Sequence, residues 1–291
     1  METRGILNLN GFTRPLLSIG AALAGVGWYA WRIEPRRLRI TRPVVTLPDL
    51  PPAFEGYRIA HISDVHLGER MVRDHLPAVV ERVNRERPDL IAITGDFATR
   101  HHNELNGGAP VLAGLEAPDG VWAVLGNHDY YVGVRAVSAL LAQAGIGLLK
   151  NAHHVIMRGS DSIVLAGLDD VLHGAPDLDT ALAGAPDAPA ILMVHEPDYA
   201  RVAAADSRVW IQLSGHTHGG QVCLPGLGPP VLPRLGRIYP AGRYAVGERL
   251  TLFVSRGTGT AWLAIRLNCR PEITVITLRR GSRPVTDKTT L

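Results

Sequence analysis

From residue 57 onward, short apolar runs alternate with amphipathic stretches, and the two kinds have different periods. Residues 58–62 and 90–94 are continuous β-like runs, the second an apolar run closed by Thr94, as expected of a strand covered on both faces. Between them, residues 72–85 place Leu76, Val79, Val80 and Val83 on one helical face. A helix over 109–115, a strand over 121–125 and a helix over 134–144 stopped by Gly145 continue the βα rhythm. The period then shortens. Residues 154–157 and 162–166 read as strands around the Gly159-Ser160-Asp161 turn. Strands follow at 190–194, 209–213, 250–255 and 272–278, with a short helix near 199–204. Alternating β and α followed by mostly β predicts an α/β fold of two mixed sheets packed face to face with helices outside.

The first 56 residues behave differently. Residues 15–31 carry no charge and, as a helix, would be roughly 25 Å long, near the lower limit for a membrane span. Trp28, Tyr29 and Trp31 gather at its far end, where amphipathic rings favour the headgroup layer. The expectation is a short tail (1–14) and a single transmembrane anchor helix (15–31), giving residence at a bacterial inner or plasma membrane. A cleaved signal peptide, using Ala22-Leu23-Ala24, and a buried soluble helix are the rivals. Arg32, Arg36, Arg37, Arg39 and Arg42 follow the run, and the positive-inside bias puts the later domain in the cytoplasm. Export, with the domain facing outside, is the alternative. Pro43, Pro48, Pro51 and Pro52 make 32–56 a basic, extended linker with one strand at 44–47. The domain is expected at 57–280, with a polar tail at 281–291.

Composition adds little beyond exclusions. The chain has 291 residues, enough for one large domain after the flanks are removed. A net charge of +3 without a concentrated basic stripe argues against nucleic acid as a partner. The two cysteines, Cys223 and Cys269, form no CxxC pair, so a zinc ribbon or a redox dithiol is not expected.

The chemistry sits at the ends of the apolar runs. In order these are Asp64-Val65-His66, Gly95-Asp96, Gly126-Asn127-His128-Asp129, His195 and Gly215-His216-Thr217-His218. Each adds a carboxylate, an amide oxygen or an imidazole just beyond a strand, the position where open α/β sheets bind ligands. Donors of this kind suit Mn, Fe, Zn or Ni, and without thiolates none is selected. There are enough for two divalent cations about 3.5–4 Å apart, with Asp96 as the natural bridge. Such a pair lowers the pKa of a shared water and clamps the oxygens of an in-line displacement at phosphorus. With Asn127 as a ligand, His128 is free to act as general acid or transition-state stabiliser. Asp129 is then expected to orient its ring. His101, His102, His153 and His154 read as solvated or strand-end histidines.

These blocks, D-x-H, G-D, G-N-H-[DE], H and G-H-x-H, resemble the calcineurin-like metallophosphoesterases. The resemblance covers residues 57–278. It implies a four-layer α/β/β/α sandwich and a binuclear centre in which Asp64, His66, Asp96 and His218 hold one metal. Asp96, Asn127, His195 and His216 would hold the other, with His128 catalytic and Asp129 behind it. The run from Gly219-Gly220-Gln221-Val222, the stretch Val254-Ser255-Arg256-Gly257-Thr258-Gly259-Thr260 and Arg270-Pro271-Glu272-Ile273 are similar to a bacterial membrane-anchored subgroup. That subgroup includes phosphodiesterases and UDP-2,3-diacylglucosamine pyrophosphatases of lipid A synthesis. The implied activity is hydrolysis of a phosphodiester or pyrophosphate by a metal-bridging hydroxide, on a phosphoester that includes lipid-linked nucleotides. A general phosphodiesterase or phosphomonoesterase of the cell envelope is the alternative, and a non-catalytic binding module on the same fold is a third reading. Arg256 is a candidate phosphate anchor, with a structural salt bridge as its rival. The apolar segment around Leu224, Leu227, Val231 and Leu232 is a candidate for contact with acyl chains.

Overall fold

The computed structural model describes residues 10–68 and 70–281, without the side chains of 10–17 and 70–73. All but the first residue of the expected C-terminal tail and most of the N-terminal tail lie outside the described residues.

Thirteen strands among the described residues form two mixed sheets. The first contains β1 (Arg39–Thr41), β2 (Val44–Leu47), β3 (Arg58–Ile62), β4 (Leu90–Thr94), β5 (Val121–Val124), β6 (Gly147–Leu148) and β13 (Glu272–Arg280). The second contains β7 (Ala152–Arg158), β8 (Asp161–Gly167), β9 (Ala190–Met193), β10 (Val209–Ser214), β11 (Gly242–Val246) and β12 (Leu250–Val254). Their orders are β1-β13-β3-β4-β5-β6, with β2 also on β13, and β11-β12-β10-β9-β8-β7.

Alternation along the strands explains the layering. In β4, Leu90 and Ala92 pack between the sheets while Ile91 and Ile93 face outward. In β9, Ile191 and Met193 face inward while Ala190 and Leu192 face outward. The first sheet's outer face is covered by α2 (Arg70–Arg85), α3 (Gly108–Leu112) and α5 (Val134–Gln143), through Leu76, Val79, Val83, Leu112, Val137 and Leu141. The second is covered by α6 (Leu178–Ala181) and α7 (Ala200–Ala203). A short helix, α4 (Asn127–Val132), opens directly after β5. The result is the expected order of helices, sheet, sheet, helices.

Two expectations about the flanks change. The strand expected at 44–47 is present as β2, and the region read as a linker also contributes β1; both pair in parallel with β13 and so belong to the sheet. The uncharged run is helical, but within α1 (Asn10–Trp28) followed by a π-helical stretch, Tyr29–Ile33. Among the described residues no helix is long and apolar enough to cross a membrane. Arg14 and Asn10 lie inside α1, and its many glycines and alanines carry little hydrophobicity per residue.

Parallel strands β3, β4 and β5 of one sheet and β9, β10 and β12 of the other end at a common edge. The loops leaving these ends are stitched together. Asp64 N–H donates to Gly95 O, Gly215 N–H to His195 O, and Thr258 N–H to Ser63 O.

Candidate metal centre

The loops that leave these strands turn sharply, and their backbones show it. Asp64, His66, Asp96, His216 and His218 all have positive φ, between 49° and 70°. L-residues avoid this region, and a cluster of such strained positions marks a site that the surrounding fold holds in place. Glycines allow the close approach. A Cβ on Gly215 would lie 1.8 Å from Ser63 Oγ and 2.3 Å from Asp64 Oδ2, and one on Gly126 would lie 2.4 Å from Asp96 Oδ1.

All seven expected ligands meet. Donor atoms of Asp64, His66, Asp96 and His218 lie within 4.8 Å of one another, all buried. His66 Nε2 faces His218 Nε2 at 3.0 Å, and His218 Nε2 is 3.2 Å from Asp64 Oδ1. On the other side of Asp96, His195 Nε2 is 3.1 Å from its Oδ2. His216 Nδ1 is 2.9 Å from Asn127 Oδ1. The His195 and His216 rings are 5.0 Å apart.

The tautomers fit metal ligation. His195 Nδ1 lies 2.6 Å from Thr94 O and His216 Nε2 2.7 Å from Arg234 O, so each ring donates there to a carbonyl. The remaining nitrogens, His195 Nε2 and His216 Nδ1, then aim lone pairs at Asp96 and Asn127 oxygens. His195 Nε2 is buried with no hydrogen-bond partner. Lone pair against lone pair at these distances is repulsive unless a cation stands between them. Imidazoles fixed by a carbonyl on the far nitrogen are the usual arrangement around such cations. The residues therefore fit a pair of divalent ions.

Protonation follows the same geometry. Burial pushes His66 down to about 3 and His216 down to about 4, and holds His218 well below the usual range, so these rings are neutral. Burial also opposes charge on His195 and Asp96, but their mutual attraction outweighs it: His195 is raised well above its ordinary value and Asp96 held well below. Asp64 is raised to about 6, chiefly by burial.

His128 lies at the mouth, 5.2 Å from the His66 ring, and its backbone N–H donates to Asp96 Oδ1 at 2.9 Å. Its Nδ1 is 2.6 Å from Thr99 O, which fixes the ring and leaves Nε2 for a substrate. Asp129 does not stand behind this ring. Its carboxylate accepts from the backbone N–H groups of Asp96, Phe97 and Gly126, at 2.9, 2.8 and 2.9 Å. It shapes the β4 and β5 loops, and burial followed by the charge of Asp96 raises it to about 7. Arg256 is likewise elsewhere: its guanidinium pairs with Glu272 at 2.8 Å and lines a groove between β1 and β11, away from the ligands.

A cavity of about 740 Å³ opens onto the ligands, lined by His128, His216 and His218 and walled by Tyr131, Leu172, Val231, Trp262, Leu263 and Ile265. Sequence reasoning missed three of its supports. Tyr131 Oη meets His173 Nε2 at 3.0 Å. Asp170 accepts from Leu172 and His173 N–H groups, shaping that wall. Arg100 lays its guanidinium over Trp262, 4.2 Å from the ring centroid. The paired aspartates Asp169-Asp170 directly after an apolar strand were the available signal for the second; nothing local marked the others.

Residues 57–220 match the Calcineurin-like phosphoesterase family. The chain is 36% identical over 272 residues to YkuE of Bacillus subtilis, an uncharacterized metallophosphoesterase, covering 90% of this chain and 93% of that one. It is 32% identical over 227 residues to the phosphodiesterase YaeI of Escherichia coli, covering 76% and 82%. A zebrafish transmembrane protein with a metallophosphoesterase domain is 33% identical over 91% of this chain, which spans 62% of that protein. Among solved structures, the NAD nucleotidase NadN of Haemophilus influenzae superposes with a TM-score of 0.49 at 17% identity, over 69% of this chain and 45% of that one.

Proposed function

This chain belongs to the calcineurin-like phosphoesterases, and from that premise we propose that it cleaves a phosphodiester or pyrophosphate bond, on a lipid-linked substrate. It is a metal-dependent phosphoester hydrolase; the bond and the substrate are the proposal. The observation that carries the reading is the convergence of seven donors from both sheets, with lone pairs on His195 and His216 facing oxygen. Two divalent cations bound there supply Lewis acidity toward phosphoryl oxygens and a more acidic water.

The chain's own groups supply the rest. Asp64, Asp96 and Asn127 place their oxygens opposite the four imidazoles, fixing where a phosphoryl group can sit. Thr99 O holds His128 Nδ1–H, so Nε2 is turned toward the cavity, where as an imidazolium it donates a proton to the departing oxygen. Asp129 pins the loops that carry Asp96 and Asn127. The apolar wall beyond His128 favours a leaving group with a hydrophobic part. A relative named as a phosphodiesterase supports the diester, and the wall supports the finer reading, the pyrophosphate of UDP-2,3-diacylglucosamine at the bacterial inner membrane.

The test is a substrate panel with Mn²⁺, Zn²⁺ or Mg²⁺ added in turn. Turnover of bis-p-nitrophenyl phosphate and of UDP-2,3-diacylglucosamine is expected. Turnover of the first alone would remove the nucleotide lipid and leave the phosphodiesterase.

A further inference from the structure

The described part of α1 from residue 18 onward is exposed on every side. Ile19, Leu23 and Val26 are exposed to solvent, and a lone helix of this length is marginal in water. At its end, Trp28 and Trp31 stack edge to face, and Arg32 lies over both rings. Exposed Arg36, Arg37 and Arg39 follow.

This end is fastened to the mouth of the cavity. Arg266 N–H donates to Ala30 O at 2.8 Å, and buried Glu34 accepts from Cys269 N–H. The segment that reaches Arg266 is the one that carries Trp262 and Leu263. Both are largely exposed, 63% and 64%, and Trp262 has φ 61°. A bulky aromatic side chain on a left-handed backbone is a costly arrangement, and contacts with Arg100 and His128 still leave most of this ring open to solvent at the cavity mouth. Beside it runs the 221–231 loop, joined by Gln221 to Ala261 and Leu263 and by Cys223 N–H to Leu267 O. It exposes Leu227 at 82% and Val231 at 75%.

We propose that these three pieces form one membrane-docking face: α1, the Trp262–Leu263 tip and the Leu227–Val231 loop rest on an anionic lipid bilayer, with the cavity mouth opening against it. Not apolar enough over its described residues to span, α1 suits the interfacial layer, where aromatic rings and arginines meet lipid headgroups. The arginines after Trp31 and Arg100 over Trp262 supply the complementary charge. The inference deepens the lipid-linked reading above, since an amphiphilic substrate would enter without leaving the bilayer; its test needs no turnover, so it fails or stands apart from that reading.

The full chain is mixed with vesicles of phosphatidylcholine and phosphatidylglycerol whose acyl chains carry bromine, and tryptophan emission is followed. Trp28, Trp31 and Trp262 are the exposed rings among five tryptophans. Trp262→Phe should therefore remove roughly a third of the quenching. The pair Trp262→Ser with Leu263→Ser should weaken vesicle affinity about tenfold or more, from the loss of two buried side chains. Quenching unchanged in Trp262→Phe, with vesicles still bound, would show that α1 docks alone and overturn the proposal. Binding no tighter to mixed vesicles than to pure phosphatidylcholine would overturn its electrostatic half.

Discussion

At the residue scale, His128 and Asp129 separate cleanly although they are adjacent. His128 touches the cavity and takes its orientation from Thr99 O; Asp129 touches only backbone N–H groups. Replacing His128 by Ala is expected to lower kcat by about 10²–10⁴-fold, the usual worth of a positioned general acid. Metal content, read by elemental analysis, should stay unchanged, because no metal position needs this ring. Loss of metal together with activity would make it a ligand instead. The candidate ligands were legible because each motif pairs a donor with a strand end, and strand ends converge in such folds. The role of Asp129 was not, because its partners, the backbone of Asp96 and Phe97, lie some thirty residues away. For Arg256 the rival reading, a structural salt bridge, is what forms; its partner was not legible because Glu272 lies sixteen residues on, at the start of β13.

At the element scale, long runs with one clear period were readable. The strand at Leu90–Thr94 occupies the residues the apolar run marks, and α5 ends one residue short of the expected last helical position, 144. The edges were less so. β2 falls where a strand was expected, but β1 looks like proline-punctuated linker and becomes a strand only because β13 offers it a hydrogen-bonding edge, which is tertiary information. A charged contact fastens this segment. Glu86, just beyond α2, accepts from Arg42 between β1 and β2, and from Arg58 on β3. Hydrogen bonds from Arg42 hold its carboxyl below the usual range against a smaller opposing effect of burial. A depressed carboxylate stabilises the fold above its unfolded pKa and loses that contribution as pH falls through the folded value. Urea unfolding of the native chain and of Glu86→Gln should thus differ at pH 7, and the gap should close on acidification below about pH 4. A gap that persists at low pH would mean that packing of the side chain, not its charge, fastens β1 and β2.

At the scale of the whole molecule, the candidate centre is a joint between halves. Asp64, His66, Asp96 and Asn127 come from the first sheet, and His195, His216 and His218 from the second. Apolar packing between the sheets holds the bodies together, but at this edge the contact is polar and buried, with donors that repel unless neutralised. Cations that bind only the folded arrangement stabilise it by mass action, about 2.7 kcal/mol when present at a hundred times Kd. For a domain of this size that corresponds to a Tm shift of roughly 5–10 °C. Stripping metal with a chelator should therefore lower Tm by that order and abolish turnover, and adding Mn²⁺ or Zn²⁺ back should restore both. The sheets also predict where the apo protein loosens first. Amide exchange should quicken in the loops after β3, β4, β9 and β10, while the inter-sheet core around Leu90, Ile191 and Ile211 stays protected. A chelated protein with unchanged Tm and unchanged loop exchange would mean that the lone pairs are held apart by the protein frame alone, and that the centre contributes chemistry without joining the two sheets.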